Sequence, residues 1–109
     1  MKQSPIFNRT YDLLRWVIPA TIKFPRQQRF VLASAIQQSA LRFQEEFIEA
    51  VHQRQPRPVL EQADATLAKL RLHLRLSHDL GLLGKGQYWH VAGMVDEIGK
   101  LLGGWLKTV

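Results

Sequence analysis

The sequence predicts an all-α fold, an antiparallel up-down-up-down four-helix bundle. Three observations carry that expectation. Apolar residues recur three and four apart in four separate stretches, the period of one helix face. Proline or glycine separates those stretches, at Pro25, at Pro56 and Pro58, and from Gly81 to Gly86. No stretch alternates apolar and polar residues as a half-buried strand would. Helices joined by short connections become antiparallel neighbours. The chain reads as a single domain, 1–109, with helices at about 5–23, 25–54, 58–80 and 87–107.

Ser4-Pro5 marks the first helix start, with serine as N-cap and proline where its missing N–H costs nothing. Phe7, Tyr11, Leu14, Ile18 and Ile22 form its stripe, broadened by Leu13 and Val17. Pro19 falls on the polar line with Asp12, Arg15 and Lys23. There it leaves the Arg15 carbonyl without a helical partner and predicts a kink where water can compensate. The helix should stop near Phe24, because a residue preceding proline is biased out of the helical region.

Pro25 opens the second and longest helix, with Ile36, Ala40, Phe43, Phe47 and Val51 as its stripe. At ~1.5 Å per residue it would be about 45 Å long, which requires helices lying side by side. Gln53–Pro58 is a short linker stiffened by two prolines. In the third helix Leu60, Ala63, Leu67, Leu70 and Leu74 make a coiled-coil-like seam. Leu72 and Leu76 add a second apolar line, and Arg71, Arg75 and His78 a basic one. Gly81 fits a left-handed cap, followed by a tight turn to Gly86.

The fourth helix carries bulk on Val91, Met94, Val95, Ile98, Leu101, Leu102 and Trp105. A second line, Ala92, Asp96, Gly99 and Gly103, has almost none. Each helical glycine costs about 1 kcal/mol relative to alanine, so this line predicts the close approach of another backbone. The Gly99-xxx-Gly103 spacing resembles membrane helix dimers, but Asp96, Glu97 and Lys100 interrupt it.

No apolar run approaches the ~20 residues of a membrane span, and no signal peptide is visible, so no membrane association is expected. Cysteine is absent, which excludes disulfides and thiolate sites and makes the cytoplasm the expected location. The net charge of +6 favours a polyanionic partner. Its distribution is more informative than its sum. Residues 1–29 hold six basic residues against Asp12, and 69–85 hold four against Asp79, while 30–68 is net acidic.

The acids, histidines and serines offer no reactive constellation. Glu49-Ala-Val-His52 has the Glu-x-x-His spacing of di-iron bundles, but those sites need a second pair and two further glutamates. His73, His78 and His90 do not stand four apart, so they form no zinc pair. Ser77 and His78 point about 100° apart around a helix, and the glycines of the turn follow no strand. No catalytic residue, metal site or cofactor is expected. What remains is basic surface: Arg71, Arg75 and His78 with Lys69 and Lys85, and Lys23, Arg26 and Arg29 at the first turn. In an antiparallel bundle the first and third turns share an end, which would gather these residues into one positive end able to bind phosphates. A solvated face with snorkelling arginines, or a subunit interface at the leucine-flanked Arg71 and Arg75, is the competing reading.

Three segments resemble one family: Phe24-Pro-Arg-x-x-Arg-Phe-Val-Leu32, Leu70-Arg-x-x-Leu-Arg75 and Ile98-Gly-x-Leu-Leu-Gly-Gly-Trp-Leu-Lys107. They look like the four-helix-bundle family of diversity-generating retroelement accessory variability proteins and 23S ribosomal RNA intervening-sequence proteins. The resemblance spans nearly the whole chain. It implies a non-enzymatic protein that forms a ring-like homopentamer with a basic surface. Its partners would be a reverse transcriptase and template RNA, with DNA as the alternative strand, in support of mutagenic retrohoming. Carried over by motif position, Arg71 and Arg75 would engage polymerase or nucleic acid. Gly99, Gly103, Gly104 and Trp105 would be structural, in packing or oligomer contacts. One departure is Gly84-Lys-Gly86, which offers no side chain of the usual N-cap type and predicts a loose junction before helix four. A ribosomal intervening-sequence-type protein, or a structural protein–protein adaptor without nucleic-acid binding, is the alternative.

Overall fold

The computed structural model describes residues 5–109, so the Ser4 N-cap lies outside the described residues. Four long helical elements follow one another, and no strand occurs among the described residues. Helix α1 spans Pro5–Ile22. Helix α2 starts with one turn at Arg26–Gln28, widens into a π-helical segment at Arg29–Ala33 and continues as Ser34–His52. Helix α3 spans Arg57–Asp79 and α4 spans Lys85–Leu106. The four-helix architecture read from periodicity is what the chain adopts. The start of α4 moves two residues earlier than expected.

Helices α1 and α3 each pack against both α2 and α4. Side-chain partners fix the directions. Arg9 meets Glu97 at 2.7 Å and Trp16 lies beside His90, so α1 and α4 run antiparallel. Along α3 and α4, Arg57 donates to the Leu106 carbonyl at 2.7 Å, Arg71 meets Asp96 and His78 stacks on Tyr88. The α1–α2 and α3–α4 turns therefore share one end. The molecule measures 43 × 24 × 19 Å, its long axis that of a single long helix.

The seam of α3, Leu60, Ala63, Leu67, Leu70 and Leu74, is buried as expected, as are Ile36, Ala40, Phe43 and Phe47 of α2. Val51 is not; Ala50 takes the last buried place. The stripe expected on α1 is rotated. Its buried line is Ile6, Thr10, Leu13, Val17 and Thr21, while Tyr11 and Ile22 are more than half exposed. Threonine can occupy a core line because its hydroxyl bonds back one turn. Thr10 donates to the Ile6 carbonyl at 2.7 Å and Thr21 to the Val17 carbonyl at 2.8 Å. Helix α1 continues through Pro19, whose exposed position leaves the Arg15 carbonyl to water.

The π-helical segment departs from the plain α-helix expected there. An extra residue in that turn rephases α2, so Leu32 and Ala33 enter the core while Phe30 and Val31 are left exposed. The continuous apolar run Phe30–Ala33 gives no phase from which to read it. Gly81, at φ 79°, closes α3 as expected. Its amide donates to the His78 carbonyl and that of Leu82 to Ser77, the two bonds of a Schellman motif. The next junction is not loose. Gln87 turns its side-chain oxygen back to accept from the Gly84 amide at 2.9 Å, supplying a cap from three residues further on.

One acid is buried within this frame. Glu46 of α2 is fully buried, with Arg42 Nε 3.4 Å from its carboxylate. Burial pushes its carboxyl above the ordinary value, and the smaller influences of Thr66 and Arg42 pull the other way. With a raised folded-state value the native protein holds its proton longer than the unfolded chain. Stability from this group therefore falls as pH rises above about 4.5. Glu46→Gln is expected to raise the melting temperature at neutral pH, with the gain vanishing below pH 4.5. A lower melting temperature at neutral pH would instead mean that attraction to Arg42 outweighs the cost of burying the charge.

Candidate nucleic-acid interface

The basic residues fall into three groups rather than one. Lys23, Arg26 and Arg29 are exposed around the α1–α2 turn, and Lys85 is exposed at the start of α4. The antiparallel directions put these four at the same end of the bundle. Arg71 and Arg75 line a groove between α3 and α4 together with Tyr88, Trp89, Ala92 and Asp96. Lys69 departs from the expected cluster. Two positions before Arg71, it points into the groove between α2 and α3, beside Arg42 and Gln62.

His78 is also placed differently from the reading as a phosphate contact. Its ring stacks on Tyr88 at 4.6 Å and 7°, and its Nδ1 lies 3.1 Å from the Leu83 carbonyl. That geometry makes it a brace of the α3–α4 turn. Ser77 is buried and donates its hydroxyl to the His73 carbonyl one turn back. No group of three possible metal ligands occurs among the described residues. Among them, too, no helix is long and apolar enough to cross a membrane.

Within one chain, Gly99 of the small-residue line of α4 meets a side chain. A Cβ on Gly99 would come within 2.6 Å of Arg71 Nη2, with Leu67 next at 3.5 Å. These nearest atoms belong to side chains: the glycine admits the Arg71 guanidinium, which Asp96 then holds at 3.5 Å. Around Gly103 and Gly104 nothing lies within 4 Å of such a Cβ, so within one chain neither makes a close contact. Trp105 is half-buried at the opposite end, its ring 6.0 Å from Phe47 and 6.4 Å from Phe7.

Electrostatically the two groove arginines differ. Arg71 is about half exposed and shares its charge with Asp96. Arg75 is 74 % exposed, with Asp79 only loosely paired at 3.9 Å. Such exposed pairs contribute about 0–1 kcal/mol and leave the guanidinium available to a stronger anion. Two residues that sequence reasoning passed over line the same groove, Tyr88 and Trp89. Trp89 is 63 % exposed. Its signal in the sequence is that it falls on none of the apolar lines of the fourth helix.

A family model described as bAvd-like matches residues 5–109. No curated protein matches the chain.

Proposed function

The chain belongs to the bAvd-like family, and from that premise we propose that it is a non-enzymatic accessory protein of a diversity-generating retroelement. It acts as a basic, self-associating scaffold that holds reverse transcriptase and template RNA together. The observation that carries this reading is the segregation of positive charge. Lys23, Arg26, Arg29 and Lys85 occupy one end, and Arg71 and Arg75 a groove that runs toward it. Self-association is supported by the apolar surface that one chain leaves open. Phe30 and Val31 are 78 % and 69 % exposed, and Tyr11, Leu14, Ile18 and Pro19 line an open hollow on α1.

The reading is tested by light scattering behind a sizing column at low and high salt, followed by RNA and polymerase binding. A mass near five times 12.6 kDa that survives high salt, with both partners bound, is the expected result. A salt-stable assembly that binds neither would favour the structural adaptor, which the exposed Leu72 and Leu76 beside the arginines would suit. A monomer would remove the ring.

A further inference from the structure

The groove between α3 and α4 combines two kinds of side chain that the basic end does not. Arg71 and Arg75 form one wall; Tyr88 and Trp89 form the other, over the small residue Ala92. Its volume, ≈ 360 Å³, is in the range that holds one small ligand and not a helix. The aromatic wall is ordered from behind. Tyr88 is stacked against His78, and Trp89 leans on Tyr88 at 5.6 Å with the rings 59° apart. Trp89 is thus braced along one side and open over most of its surface.

We infer that this groove binds an unpaired nucleotide of single-stranded RNA, its base stacked on Trp89 and its phosphate on Arg75. The inference rests on the RNA-binding reading above and sharpens it. Charge alone would bind duplex and single strand alike, since both present phosphates. An exposed tryptophan beside an arginine adds a surface that only an unstacked base can use. The two arginines divide the work. Arg71 is held back by Asp96 and seated over Gly99, shaping the groove. Arg75, one turn further along α3 and weakly tethered to Asp79, is the one that reaches phosphate. Recognition of this kind tolerates any base, because every base has a π-face.

The test compares wild type, Trp89→Ala and Trp89→Phe for binding to labelled single-stranded RNA and to a duplex of the same sequence, by fluorescence anisotropy. Trp89→Ala is expected to weaken single-strand binding about tenfold. Duplex affinity, salt dependence, melting temperature and molar mass should all stay unchanged, and Trp89→Phe should restore most of the loss. Steep salt-dependent binding by wild type with no effect of Trp89→Ala, or an equal loss on duplex, overturns this inference and leaves the function standing. A change in molar mass in Trp89→Ala also overturns it, making Trp89 a subunit contact. Wild type that binds no RNA at all removes both.

Discussion

Phe47→Ala is expected to remove about 3–5 kcal/mol of folding stability. Phe47 is fully buried in α2 and lies at the centre of an aromatic cluster. Its ring centre is 4.4 Å from Phe43 on the same helix, 6.3 Å from Phe7 of α1 and 6.0 Å from Trp105 of α4. Truncation would forfeit the transfer energy of the ring and leave a cavity that three helices must close, and the edge-to-face contacts would go with it. A small domain is stable by only about 5–15 kcal/mol, so the variant would be marginal. Urea unfolding measures the loss directly. At a slope of about 1–3 kcal/mol per molar, the midpoint should fall by more than about 1 M. A loss below about 1 kcal/mol would mean that Trp105, which is only half-buried, swings in to fill the space.

The architecture is legible in the sequence because each helix advertises a buried line and each turn carries proline or glycine. The seam of α3 is the clearest case, its five apolar positions all buried, with polar Ser77 buried at its end, where the hydroxyl bonds back one turn. Helix α1 is harder because its core line includes Thr10 and Thr21, which score as polar until their hydroxyls bond back one turn. The π-helical turn at Arg29–Ala33 is hidden for the opposite reason, a run apolar on every side. At the candidate site, periodicity puts Arg71 and Arg75 on one line. It cannot show that a glycine on another helix makes room for a guanidinium. Gly99 and Arg71 are a single feature divided between two helices. Lys69 misleads through proximity in the chain, since two residues along a helix reverse the direction of a side chain.

RNA binding by the wild-type protein is expected to weaken about a thousandfold between 50 and 200 mM salt, if about six phosphates are contacted. Each cation that meets a phosphate releases condensed counterions, so the slope of log affinity against log salt counts contacts at ~0.9 apiece. Arg71→Ala with Arg75→Ala should therefore flatten that slope by up to about 2 while the bundle stays folded, since both side chains are about half exposed or more. Asp96→Asn supplies the opposite sign. Asp96 is 3.5 Å from Arg71 and faces the same groove, so neutralising it frees one guanidinium and removes one repulsive charge. Affinity for RNA should rise and the slope should steepen. A double arginine variant that unfolds would make these residues structural, and an Asp96→Asn protein that binds RNA less well would mean that Asp96 serves by holding Arg71 in place. If the arginines instead meet a neighbouring subunit, both variants change the molar mass and leave the salt slope where it was.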